Sequence, residues 1–262
     1  MSRVYDCWDE ENRTAGIADA ASSLRKGELV VLPTDTVYGI GADAFNPEAV
    51  AVLLDAKGRG RDMPAPVLVG TVDAASALVE DFGKHGQDLI DAFWPGPLTL
   101  VCPARSSLTW DLGDTKGTVG VRMPDNELAL DLLRQVGPTA VSSANLSGEP
   151  PALTAAEALE QLGDSVSVYL ENGPAPEDVT PSTIVDLTYA VPRVLREGAI
   201  PIEDLRKICG TVIGVSKRPR RRTPEQDEAT DKAEAGDQTG ATDKAEAGER
   251  HESEPPDAEP ER

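Results

Sequence analysis

The sequence predicts an α/β domain: a mixed parallel and antiparallel sheet with flanking helices. Three observations carry this reading. Short apolar runs rich in β-branched residues alternate along residues 1–215 with segments of helical periodicity. Near the end of that region the strand-like runs follow one another too closely for helices to fit between them, so some neighbours must pair antiparallel. Helix starts are marked at Asn46-Pro47, with proline in a first turn, and at Thr154 with Glu157, a capping box.

In chain order, residues 14–26 repeat small apolar side chains at helical spacing, and ELVVL (28–32) is a continuous apolar strand. Residues 33–46 carry threonines and glycines and read as a loop, after which Pro47 opens a helix over 47–57. PVLV (66–69) is a strand, and helices follow at 73–80 and 84–92. LTLVC (98–102) and TVGVR (118–122) are strands, 126–135 is a helix, and TAVSS (139–143) is a strand ending in hydroxyls. The capped helix covers 154–161, VSVYL (166–170), STIVDL (182–187) and PRVLR (192–196) are strands, and 201–208 is a final helix.

From residue 216 the composition changes to a basic run and then to acidic, low-complexity sequence in which ATDKAEAG occurs twice, so residues 216–262 are expected to be a disordered tail. The basic cluster Lys217, Arg218, Arg220, Arg221 and Arg222 can touch RNA weakly or an anionic lipid, or be a solvated charge run.

The 46 acidic and 25 basic residues give a net charge of −21, which argues against coating nucleic acid through bulk positive charge. The tail does not account for it, since residues 1–216 hold 32 acidic residues against 16 basic ones. Any anionic ligand must therefore meet a local basic site. Three separated cysteines without a CxxC pattern suggest neither a disulfide framework nor a thiolate zinc cluster. No apolar run is long enough to cross a bilayer and no secretory signal opens the chain, so a soluble cytoplasmic protein is expected. The two histidines, His85 and His251, have no matching constellation for a Ser-His-Asp triad or an HExxH site.

Three segments can carry chemistry. In LPTDTVYGIGADA (32–44), Gly39 and Gly41 match a dinucleotide fingerprint, but six residues separate them from the strand and no helix opens on them; hydroxyls for small-molecule recognition, or a plain turn, fit better. DAKGRGRDMP (55–64) concentrates Lys57, Arg59 and Arg61 in an acidic domain, as a phosphate site or as cations at a helix C-terminus. VSSANLSG (141–148) is a polar turn or an anion cradle. Arg122, Ser182 and Arg196 stand at strand termini, where α/β sheets collect ligands.

Together PTDTVYGIG (33–41), Lys57-Gly58-Arg59, FWPGPLTLV (93–101), VGVRMP (119–124), SANLSG (143–148), PSTIVD (181–186) and VLREG (194–198) resemble the YrdC-like family of threonylcarbamoyl-AMP synthases, over roughly residues 12–210. The resemblance implies a twisted mixed sheet around a deep electropositive cavity. It implies a nucleotidyltransferase that uses L-threonine, bicarbonate and ATP with magnesium and no organic cofactor. The product, threonylcarbamoyl-AMP, would pass to the tRNA threonylcarbamoyl transferase machinery.

It further implies residue roles. Lys57 and Arg59 would be catalytic and face the ATP phosphates, with Thr118, Ser143, Asn145 and Arg196 as further nucleotide contacts. Thr36 and Ser182 would hold threonine and Arg122 would pair with its carboxylate. Lys57 is expected to be solvated without ligand, so that its removal spares the fold. Met63 stands where family members often carry Lys or Asn, and Leu68 where some carry His. The alternatives are a paralogue that keeps the cavity without synthase activity, an RNA-binding module, and a dinucleotide-dependent dehydrogenase.

Overall fold

A computed structural model of the chain describes residues 2–176 and 180–215; the tail, its basic cluster and its repeat lie outside the described residues. The elements run β1 (Arg3–Asp6), α1 (Glu10–Arg25), β2 (Val30–Leu32), β3 (Gly39–Asp43), α2 (Pro47–Ala56), β4 (Val67–Leu68), α3 (Val72–Ser76), α4 (Gly83–Phe93) and β5 (Leu98–Pro103). They continue through β6 (Thr118–Arg122), α5 (Glu127–Val136), β7 (Thr139–Ser143), α6 (Ala155–Leu162), a short 3₁₀ turn, β8 (Val168–Glu171), β9 (Thr183–Asp186), β10 (Arg193–Arg196) and α7 (Ile202–Cys209).

Among the described residues ten strands form one sheet in the order β1-β8-β2-β3-β7-β4-β6-β5-β9-β10. It is mixed: β1 and β2 pair with β8, β4 with β6, and β5 with β9 in parallel, while β2–β3, β3–β7, β4–β7, β5–β6 and β9–β10 pair antiparallel. Side chains alternate across the sheet. Val30 and Leu32 join the apolar cluster under α1 and α5, with Ile17, Leu24, Leu128 and Leu132, whereas Val31 joins the cluster on the opposite face with residues of α2, α4, α6 and α7. A central strand buried on both faces reads as the unbroken apolar run seen in ELVVL.

The caps behave as side-chain chemistry requires. Asn46 Oδ1 accepts from the backbone N–H groups of Glu48 and Ala49, which starts α2. Thr154 Oγ1 accepts from Glu157 N–H, but the Glu157 carboxylate turns back to Leu153 N–H, one residue earlier than in an ordinary capping box.

Three expectations need correcting. Helix α1 begins at Glu10, not residue 14, because the Asp9 side chain accepts from Asn12 N–H and acidic residues fill the first turn. Strand β1 was not anticipated; it is four residues long and exposed, so it lacks an apolar signature. Residues 39–43, read as part of a loop, form β3 between β2 and β7. Their glycines answer a close approach: a Cβ on Gly39 would stand 2.6 Å from Val141 Cγ1, and one on Gly41 3.0 Å from Thr139 Cγ2.

Candidate functional site

The loop between β2 and β3 is held by its own hydroxyls. Thr34 Oγ1 donates to the Val37 carbonyl at 2.6 Å, accepts from Thr36 N–H at 3.1 Å and lies 3.1 Å from Thr36 Oγ1. These bonds fix the turn locally and leave Thr36 Oγ1 to accept from Arg122 Nη1 at 3.1 Å.

Helix α2 ends at Ala56 with Lys57 as its C-cap, and Gly58 takes a left-handed conformation (φ 61°) that turns the chain toward the segment after β7. Lys57 is only 1% exposed, which corrects the expectation that it is solvated. Its ammonium donates to the carbonyls of Ser143 and Asn145 and to Asn145 Oδ1. Ser147 N–H donates to the Lys57 carbonyl in return, at 3.1 Å. Arg59 continues the seam: Nε donates to Ser147 Oγ at 3.1 Å and Nη1 to Ser142 Oγ at 2.9 Å. Asn145 Nδ2 spans the loop to the carbonyls of Leu146 and Glu149. The Lys-x-Arg and Ser-x-Asn segments therefore form one hydrogen-bonded unit.

On the other side, Arg122 ends β6 and is buried; Nε donates to the Gly96 carbonyl at 3.1 Å and Nη2 to Asp35 Oδ1 at 2.5 Å. Arg196 ends β10 and grips Ser182, Nε and Nη2 donating to its carbonyl at 3.1 and 2.8 Å and Nη2 to its hydroxyl at 3.0 Å. Ser182 Oγ lies 3.0 Å from Thr99 Oγ1.

These segments surround a cavity of about 460 Å³. Of the residues expected at a site, Thr36, Arg59, Arg122, Ser143, Asn145, Ser182 and Arg196 share its wall. Two do not. Lys57 lies behind the wall, under the loop it holds, and Thr118 begins β6, four residues from Arg122, with its hydroxyl donated to the Thr115 carbonyl. Met63 and Leu68 are both in the wall, so the two departures from the family pattern face the ligand space. Thr99 and Asp35 were not anticipated as site residues. Thr99 is the lone polar side chain in the first four residues of β5, a signal that was available; Asp35 acts through a partner 87 positions away, which no local pattern records.

Three guanidiniums, Arg59, Arg122 and Arg196, line the cavity, and among the described residues no Asp or Glu does. Burial lowers the pKa of all three; for Arg122 the Asp35 carboxylate opposes this, and for Arg196 the charges of Arg122 and Arg59 add to it. All remain cationic. Burial, reinforced by the charge of Arg59, lowers the Lys57 ammonium to about 7. The cavity is thus a concave, electropositive, hydroxyl-rich site of small-molecule size.

Among the described residues no cluster of His, Cys, Asp and Glu is suited to hold a metal ion, and no helix is long and apolar enough to cross a membrane.

The family model for Sua5, YciO and YrdC proteins, described as "Telomere recombination", matches residues 22–198. A Mycobacterium tuberculosis relative, provisionally named as a threonylcarbamoyl-AMP synthase, is 55% identical over 210 residues, covering 80% of this chain and 96% of its own length. The Bacillus subtilis threonylcarbamoyl-AMP synthase is 37% identical over 75% of this chain and 57% of its own. The crystal structure of Pyrococcus abyssi Sua5 complexed with L-threonine superposes with a TM-score of 0.74 at 32% identity, over 82% of this chain and 62% of that one. By sequence, by fold and by the segments that build its cavity, the chain belongs to the Sua5/YciO/YrdC family.

Proposed function

We propose that the protein is an L-threonylcarbamoyladenylate synthase, a nucleotidyltransferase that makes threonylcarbamoyl-AMP and pyrophosphate from L-threonine, bicarbonate and ATP for tRNA modification. One observation carries the reading: in a chain of this family, three arginines converge on a single cavity whose wall also presents the Ser143 and Asn145 segment and, among the described residues, no carboxylate. That donor set suits a triphosphate and an amino-acid carboxylate held together.

The reaction needs little covalent chemistry from the protein. The threonine amine takes up carbon from bicarbonate to give a carbamate and water; a carbamate oxygen then attacks the α-phosphorus of ATP and pyrophosphate leaves. Each partner is anionic, so the barrier is largely one of repulsion and alignment. Arg59 and Arg196 offset phosphate charge, Arg122 takes the threonine carboxylate, and Thr36 and Ser182 supply hydroxyls beside it. Lys57 sets the shape of the Ser143–Asn145 loop that faces the nucleotide. Magnesium would enter as part of the MgATP substrate and offset phosphate charge there, with the hydroxyls of Ser142 and Ser143 as the wall oxygens that would meet it.

The test is pyrophosphate release from ATP, magnesium and bicarbonate by the purified chain, with and without L-threonine, and product mass. Threonine-dependent pyrophosphate together with threonylcarbamoyl-AMP is the expected result. ATP binding without turnover would favour a paralogue that keeps the cavity but not the activity.

A further inference from the structure

The three arginines of the cavity are not electrostatically equal. Among the described residues, Arg59 and Arg196 have no ion-pair partner, whereas Arg122 is paired with Asp35, its Nη2 to Oδ1 at 2.5 Å. Each Arg122 nitrogen gives one N–H to a protein oxygen, namely the Gly96 carbonyl, Thr36 Oγ1 and Asp35 Oδ1. One further N–H then remains on each terminal nitrogen, enough for a carboxylate at the wall. Asp35 is not itself in the wall, and its second oxygen, Oδ2, is buried with no hydrogen-bond partner among the described residues.

A ligand carboxylate seated on Arg122 therefore meets a guanidinium whose charge is already balanced by a carboxylate 2.5 Å from Nη2. For a simple anion, repulsion from Asp35 cancels most of the attraction. For a zwitterion, the ammonium group adjoining the carboxylate is drawn to the same Asp35 field and restores the balance. Arg59 and Arg196, uncompensated, suit a polyanion instead.

We propose that Asp35 is a specificity-determining positioning residue: acting through Arg122, it makes this subsite select a zwitterionic α-amino acid over the same carboxylate lacking the ammonium group. The inference rests on the reading of Arg122 as the amino-acid carboxylate site.

Calorimetric titration of the full chain with L-threonine and with 2,3-dihydroxybutanoate, in which a hydroxyl replaces the amine, tests it. Wild-type protein is expected to bind threonine at least about tenfold more tightly. Asp35→Asn keeps an oxygen for Arg122 Nη2 and removes the charge, so it is expected to cut that ratio about tenfold, mainly by tightening the hydroxy acid. An unchanged ratio in the variant, or equal weakening of both ligands, overturns the inference while leaving the proposed function standing. Equal binding of the two ligands by wild type also overturns it, and needs no variant to fold. Absence of threonine binding to wild type would instead remove the reading of Arg122 beneath it.

Discussion

Replacing Lys57 with methionine separates a phosphate ligand from a structural clamp. The substitution keeps most of the apolar stem and deletes the donor that the Ser143 carbonyl, the Asn145 carbonyl and Asn145 Oδ1 share. The Ser143 carbonyl keeps Asn145 N–H as a donor at 3.0 Å, so the two Asn145 oxygens are the acceptors left unpaired, each at a cost of about 1–3 kcal/mol. Relief from burying an ammonium, whose pKa burial has lowered to about 7, returns part of this. A net loss of about 2–4 kcal/mol near neutral pH is expected. For a domain of this size that corresponds to a fall in Tm of about 4–16 °C. Thermal unfolding followed by circular dichroism supplies the measurement, alongside threonine-dependent pyrophosphate release. A Tm shift under about 2 °C combined with lost turnover would refute the clamp and return Lys57 to the role of a free charge beside the phosphates.

The same lysine makes stability depend on pH in a set direction. Its folded pKa of about 7 lies below the ordinary 10.5, so between these values the unfolded chain binds the extra proton; the penalty is full below about 7 and is relieved as pH rises. Denaturant unfolding at about pH 7 and about pH 9 should show the gap between wild type and Lys57→Met widening in favour of wild type. Arg122→Ala should raise the KM for threonine by about 10- to 100-fold and that for ATP by much less, a charge-assisted carboxylate contact having been removed; equal effects on both would contradict the assignment. Gly39→Ala sets a methyl 2.6 Å from Val141 Cγ1 and is expected to destabilise the protein by about 1–3 kcal/mol, with Val141→Ala restoring much of the loss. Additive losses in the double variant would show that the clash is not the cause.

Most of the frame was legible because its signals are local. TVGVR and TAVSS became β6 and β7 with unchanged bounds and ELVVL became β2 shortened by its first two residues, since an apolar central strand has few disguises. The part that escaped was relational. Strand β3 is written in glycines because β7 presses on it, and only the pairing of Gly39 with Ser143 reveals that. Lys57 sat among cations in the sequence and read as one more phosphate contact, yet the loop containing Asn145 closes over it and its charge is spent on two backbone carbonyls and the Asn145 side-chain oxygen. Asp35 was visible inside a motif but had no role until Arg122 arrived from the far side of the chain.

The position of Arg196 has a bearing on synthesis. It ends β10, the last strand of the sheet, and reaches the cavity wall by gripping Ser182. A nascent chain can pair β2, β3 and β7 and hold Arg59 and Arg122 well before β10 leaves the ribosome, but the wall is incomplete until then. Long-range pairing of this kind is slow to close. Partial translation products should therefore carry much of the sheet and none of the assembled site, so that a complete cavity wall is itself a report that the domain has been finished.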